Sequence, residues 1–309
     1  MTPGSETKVM QLADGRALAW IEVGEPTGTP VLAFHGAPDR AWEFAIYHAV
    51  AAGCGVRLIA VDRPGYGHST YQPRRRLTGW PADIGQLADH LGLDRFGVIG
   101  HSAGGPHALA CARFIPERLL GCGVLSGLAP QARTPITDGM LLSNRIQLAI
   151  YRHWPESVDG VAVGLWLLTK PLVAPLISYG RRHAEQEVDR TLRRMLPECD
   201  LAVVSRPEVR RTLVAGAAAF NSATLRASVQ DMAIDMREWG FALGAIDTPV
   251  HIWHGDLDRN VPIAHADYLA EIIPDATLHH CPCEGHWLLV DHMPEVLTAV
   301  AVQHPSPSP

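Results

Sequence analysis

The sequence predicts an α/β protein: a mostly parallel sheet with helices on both faces, interrupted by an inserted block of helices. Three observations carry this. Short apolar runs alternate with helical patterns as far as Leu125. From about Ala129 to Ala245 the alternation stops, and only helical patterns remain. It then resumes at Val250 and continues to the last helix. Short apolar runs alternating with helices indicate a parallel sheet whose strands are buried on both faces by the crossover helices between them.

Val9 to Val23 reads as two strands around Asp14-Gly15, a hairpin turn dipeptide. Val31–Phe34, Val56–Val61, Phe96–Ile99 and Leu120–Leu125 are further strands, the middle two ending at Asp62-Arg63-Pro64-Gly65 and Gly100. Helical patterns cover about Ala41–Ala52, Thr78–Leu91 with Thr78 as N-cap, and Ala103–Phe114. After the insertion come strand Val250–Trp253, helix Ile263–Ile273, strand Thr277–Cys281 and a helix from Pro294 to Val302. The expected organisation is a core of residues 1–128 and 246–304, a helical cap of residues 129–245, and a disordered tail at Pro305–Pro309.

Composition narrows the function. The chain has 309 residues, is 47% hydrophobic and carries a formal charge of −6, with its cations spread along the sequence. That leaves no broad basic face for nucleic acid. Arg74-Arg75-Arg76 reads as a solvated loop. The most apolar stretch, Val161–Tyr179, is broken by Lys170, Pro171 and Pro175, so a buried helix pair is expected rather than a membrane span. Met1–Leu12 is polar and lacks the apolar core of a secretory signal, and the six cysteines are mostly scattered. The expected setting is cytoplasmic, with free thiols.

Gly100-His101-Ser102-Ala103-Gly104 follows a strand and opens a helix. A strand that turns at once into a helix forces its middle residue into a strained backbone, and the glycines relieve the crowding. Ser102 is thereby pushed clear of the sheet edge as a candidate nucleophile. The N–H of Ala103, at the helix start, faces any oxyanion formed there. A serine needs a base. Of the 16 histidines, His286 stands out because it follows the last strand and Gly285 and precedes the final helix. Asp256 and Asp258, after the strand ending at Trp253, are the candidate acids.

With these motifs the chain resembles the α/β-hydrolase superfamily over nearly its whole length, from about Lys8 to Gln303. His35-Gly36-Ala37-Pro38 is similar to the family's oxyanion turn, Asp62 to Ser69 to the loop after the fourth strand, and Gly255-Asp256-Leu257-Asp258 and Gly285-His286 to its acid and histidine loops. The resemblance implies an eight-stranded sheet with an inserted cap. In the family pattern the acid lies three residues after the glycine, which selects Asp258 and leaves Asp256 as a turn former bonding its own loop. The alternative acid position, in Ser126 to Pro130, holds no carboxylate. The resemblance also makes the Ala37 N–H the second oxyanion donor; Asp39 reads as a helix N-cap before Arg40.

The expected activity is acyl transfer through Ser102, His286 and Asp258 on a small to medium hydrophobic ester, lactone or thioester. The rivals are C–C bond hydrolysis of a diketone-like substrate and a ligand receptor with a retained triad. Serine at position 102 argues against the relatives that need an aspartate nucleophile, haloalkane dehalogenases and epoxide hydrolases. The elbow also lacks the Gly-Gly-Ser-Trp-Gly of proline iminopeptidases. No cofactor is implied. The cluster His279-His280-Cys281-Pro282-Cys283 has no common zinc spacing, so no metal is expected. A small hydrophobic molecule is the expected partner, with no nucleic acid and no membrane span; the sequence leaves the oligomeric state open. The helical block is expected to form a lid over Ser102, with Trp154, Trp166, Phe220 and Trp239 and the runs around Leu165 and Leu176 supplying apolar surface.

Overall fold

A computed structural model describes residues 6–132, 136–153 and 182–302. The tail Pro305–Pro309, the run Val161–Tyr179, Trp154 and Trp166 lie outside the described residues. Eight strands form one sheet: β1 (Lys8–Gln11), β2 (Ala17–Gly24), β3 (Thr29–Phe34), β4 (Val56–Val61), β5 (Phe96–His101), β6 (Leu119–Leu125), β7 (Val250–Gly255) and β8 (Ala276–Cys281). Their order is β1-β2-β4-β3-β5-β6-β7-β8. Only the pairings made by β2 are antiparallel. From β4 to β8 the strands therefore run one way, and their carboxyl ends share one edge, where ligands bind in sheets of this type.

Helices cover both faces, because each crossover must return the chain to the start of the next parallel strand. One face packs α2 (Trp80–His90), α3 (Gly105–Phe114) and α9 (Ala264–Ile272) through Ile84, Leu87, Leu109 and Leu269. The other packs α1 (His48–Gly53) and α10 (Leu289–Ala301) through Ala51, Met293, Leu297 and Val300.

Three helix starts differ from the sequence reading. The first helical segment splits into a 3-10 turn, Ala41–Tyr47, and α1; its first N–H, on Ala41, donates to Asp62 Oδ1 at 2.8 Å. The Asp39 side chain accepts the neighbouring Arg40 N–H, at 2.9 Å, and does not reach the Ala41 N–H, so Asp62 does the work expected of Asp39. Thr78 caps nothing: it sits inside a 3-10 turn, Leu77–Gly79, that leads into α2. The last helix begins at Leu289, and Pro294 lies within it. Proline's fixed φ suits a helix, but at this interior position it forfeits an N–H bond and its ring crowds the carbonyl of Val290, four residues back.

Between β6 and β7 the described residues are helical and hold no strand: α4 (Leu142–His153), α5 (Ala184–Met195), α6 (Glu198–Val204), α7 (Pro207–Ala219) and α8 (Ser222–Asp235). A buried charge network fastens α8 to the core. Asp231 receives both Arg63 and Arg75, and Tyr66 Oη donates to it at 2.7 Å. Arg75 also donates to His107 Nε2 at 3.1 Å, while His107 Nδ1 donates to the Ala103 carbonyl at 3.0 Å. Burial, with Arg63 and Arg75 nearby, pushes His107 well below the usual histidine range, as that neutral tautomer requires. Arg75 is thus buried, contrary to the solvated-loop reading, which holds for the exposed Arg74 and Arg76.

Candidate active site

The elbow is built as its sequence requires. Ser102 follows β5 with φ +52°, in the left-handed region that a side chain seldom adopts. A Cβ on Gly100 would lie 2.2 Å from the Gly104 carbonyl oxygen, and one on Gly104 would lie 2.1 Å from that of Phe34. The turn is therefore too tight for any side chain at either position. Ala103 sits in the 3-10 turn that opens α3. The oxyanion turn lies alongside: a Cβ on Gly36 would come within 3.4 Å of the Ser102 Cβ. Ala37 follows, partly exposed.

The acid and histidine loops leave adjacent strands, with Gly255 opposite Cys281 in the β7–β8 register. Asp258 and His286 are brought together: His286 Nδ1 donates to Asp258 Oδ2 at 2.7 Å. The other Asp258 oxygen accepts the N–H groups of Asn260 and Val261, at 2.8 and 2.9 Å. With Nδ1 so engaged, the His286 Nε2 is the ring atom left to take a proton. The ring of His101, next to Ser102 in sequence, lies 5.1 Å from the His286 ring, centroid to centroid. Asp256 does not bond its own loop. Its Oδ1 accepts the Cys283 N–H at 2.7 Å and ties the two loops together.

Electrostatics set the protonation states. Burial pulls the His286 imidazole down, but Asp258, with Asp200 and Glu43 behind it, outweighs burial and holds the pKa above the usual histidine value. Burial likewise pushes Asp258 up, and His286 with the neighbouring His254 more than reverses this. His35, under the oxyanion turn, is driven well below its usual range by burial and Arg63. Its Nδ1 donates to the Gly36 carbonyl at 2.7 Å and its Nε2 accepts the Arg63 N–H at 3.1 Å. Asp39 is pushed up to about 7 by burial and the nearby Glu43.

Supporting residues missed at the sequence level surround these. Glu43 pairs with His101 Nδ1 through one oxygen and accepts the Gly36 N–H at 2.8 Å through the other. Ser126, at φ +47°, donates its hydroxyl to the His286 carbonyl at 3.2 Å. Asp200 accepts the N–H groups of His286 and Trp287. Only Ser126 had a local signal, its place just after β6; the partners of Asp200, and the His101 that Glu43 pairs with, are remote in sequence. Of the cysteines, all six are free and Cys111, Cys122 and Cys281 are buried. One group among the described residues could hold a metal ion: Cys281, Glu284 and His292, with ligand atoms all within 4.8 Å of one another. It does not include His279, His280 or Cys283, and His292 Nε2 already meets both Glu284 oxygens at 2.9 and 3.0 Å.

A strained strand-to-helix serine, a buried histidine–carboxylate pair on loops after β7 and β8, and the Gly36 turn beside Ser102 are arranged as the α/β-hydrolase resemblance implies. The chain belongs to the alpha/beta hydrolase family, whose model matches residues 31–300. It is similar to the uncharacterized hydrolase YcgS of Bacillus subtilis, at 32% identity over 122 residues, 40% of this chain and 42% of the relative. It is also similar to haloalkane dehalogenase 2 of Mycobacterium bovis, at 38% over 106 residues, 32% of this chain and 35% of the relative. These matches thus span less than half of each relative's length. Among solved structures, the thermophilic esterase of Thermogutta terrifontis superposes with a TM-score of 0.63 and 21% identity, covering 96% of both chains. At that identity the likeness is one of fold. No described helix is long and apolar enough to cross a membrane.

Proposed function

We propose that this protein is a serine hydrolase acting by acyl transfer on a small to medium hydrophobic ester, lactone or thioester, with Ser102 as nucleophile, His286 as base and Asp258 as its partner. The observation that carries the reading is the 2.7 Å bond from His286 Nδ1 to a buried carboxylate, with a serine held at φ +52° on the elbow next to His101, whose ring lies 5.1 Å from that of His286. The Ser102 Oγ adds to the substrate carbonyl while His286 Nε2 takes its proton. The N–H groups of Ala37 and Ala103 receive the oxyanion. His286 then returns the proton to the leaving group, and water attacks the acyl-enzyme by the same route in reverse. Asp258 holds the imidazole in the tautomer this needs and stabilises its charged form. The likeness to a haloalkane dehalogenase does not carry that relative's reaction here, because Ser102 occupies the elbow where such enzymes need an aspartate. On this reading residues 129–245 form a lid over Ser102 that sets substrate choice.

Ser102→Ala is expected to lower kcat on p-nitrophenyl esters by a factor on the order of 10⁴ with the fold intact. A fluorophosphonate should label the wild type and spare the variant. Equal labelling of both, or no turnover of any ester by the wild type, would overturn the reading.

A further inference from the structure

We infer that Asp200, carried by the helical block, is a positioning residue for His286: its carboxylate clamps the two main-chain N–H groups that follow Gly285. The inference rests on His286 being the base of the proposed reaction, and it adds a link from the block to that base.

The geometry is specific. Asp200 lies near the start of α6 and is only 2% exposed. Its Oδ2 accepts the His286 N–H at 3.1 Å and its Oδ1 accepts the Trp287 N–H at 2.9 Å. Both carboxylate oxygens are thus engaged by successive amides of one loop. Gly285 gives independent support. A Cβ there would lie 2.4 to 2.5 Å from the Asp200 carboxylate atoms, and the backbone of Gly285 is not in the left-handed region. The glycine is therefore needed for space, and the space is taken by Asp200.

Burial makes the arrangement costly unless it does something. It pushes the Asp200 carboxyl above its usual range, against the two N–H donors and the nearby His286 charge, which favour the ionised form. What the clamp fixes is the direction of the His286 ring. Asp258 holds the Nδ1 end, and Ser126 and His101 meet the His286 carbonyl at 3.2 and 3.3 Å. Asp200 holds the amide side of the same residue. Without it the loop could turn about its remaining bonds and move Nε2 away from Ser102, and a misplacement of about 1 Å can cost about 100-fold in rate.

The test uses Asp200→Ala, Asp200→Asn and Gly285→Ala, alone and combined, in the full chain. An asparagine keeps one acceptor and turns a donor toward the second N–H, so it should be a partial loss. For p-nitrophenyl acetate, kcat should fall about 10- to 100-fold in Asp200→Ala and less in Asp200→Asn, with KM changed by less than about threefold. The low-field proton resonance of the His286 Nδ1–H should shift or broaden in both variants, a readout independent of ester turnover. Gly285→Ala should be damaging alone and much less so in the Asp200→Ala background, because the colliding carboxylate is gone. Two merely destabilising changes would add. An unchanged resonance together with wild-type kcat, or full additivity of Gly285→Ala with Asp200→Ala, would overturn the inference. Should Asp200→Ala not fold, the same cycle with Asp200→Ser, which also removes the carboxylate atoms that a Cβ on Gly285 would meet, decides it. A wild type without esterase activity but with the resonance effect intact would instead discard the proposed reaction and keep the clamp.

Discussion

Burial and charge pull the His286 imidazole in opposite directions, and charge wins. The paired Asp258, with Asp200 and Glu43 beyond it, keeps the folded pKa above the ordinary histidine value despite burial. In the proposed reaction, a protonated His286 cannot accept the Ser102 proton. The kcat/KM should therefore rise with pH in one step whose midpoint lies above about 6.5. Asp39, at about 7, titrates in the same range, so the profile should be repeated in Asp39→Asn, where the step should remain. A midpoint below the ordinary histidine value would mean that desolvation, and not Asp258, dominates this ring. The same shift has a stability sign. A raised folded pKa stabilises the fold fully below the unfolded value and ceases to do so as pH climbs through the folded one. At this scale the sequence was informative where the chemistry is local. Ser102 shows itself by its flanking glycines and His286 by its place after the last strand. Asp200 and Glu43 left no trace, because each is defined by the amides and rings it meets across the fold.

The central strands, β3 to β7, were legible because each is a short apolar run with a turn residue beyond it, and burial on both faces leaves no other use for such a run; the edge strands β1 and β8 are largely exposed or half-buried. The helices were legible in their middles and misread at their starts. Thr78 and Pro294 carry the right chemistry for a first turn, yet a 3-10 turn precedes α2, and α10 extends N-terminally of its proline. Arg75 shows a further limit of local reading. Flanked by Arg74 and Arg76 it looks solvated, but Asp231 on α8 draws it inside together with Arg63. That network couples the loop after β4, the turn before α2, and α8. Removing one side of a buried ion pair leaves uncompensated charge, which costs about 3–5 kcal/mol. Here Asp231→Ala would remove the carboxylate bonded to two guanidinium groups with side-chain exposures of 0% and 4%, leaving the buried Asp235 as a more distant counter-charge. Denaturant unfolding of this variant should show a loss in that range, and Arg63→Met with Asp231→Leu should recover part of it. A loss below about 1 kcal/mol would mean that water reaches these charges when the partner is cut away.

At the scale of the whole molecule the helical block and the sheet are bound at several points, and this decides how a lid can be tested. Excising residues 129–245 would remove Asp200 from the His286 loop and Asp231 from Arg63 and Arg75, so a lid-less chain would report lost folding in place of lost selectivity. Nor is every apolar residue of the region at hand for a substrate: Trp239 is buried in the sheet's own core, beside Phe241, and Phe220 is half-buried at the end of α7. A better probe is Gly216, on α7. Its Cβ position meets only Asp39 Oδ1, at 3.6 Å, so a Cβ fits there without a clash. Asp39 follows Ala37 and Pro38, which places this part of α7 at the edge of the oxyanion turn. A leucine at 216 should also favour the helix, since glycine in a helix interior costs about 1 kcal/mol. If the block is a lid, Gly216→Leu should narrow the space for the acyl chain. In a series of p-nitrophenyl esters, the wild type should favour medium-length acyl groups. The variant should retain acetate hydrolysis within about twofold and lose about tenfold or more in kcat/KM on the longer chains. A chain-length profile identical to the wild type in a folded Gly216→Leu protein would mean that α7 does not border the acyl site, and substrate choice would have to be sought elsewhere around Ser102.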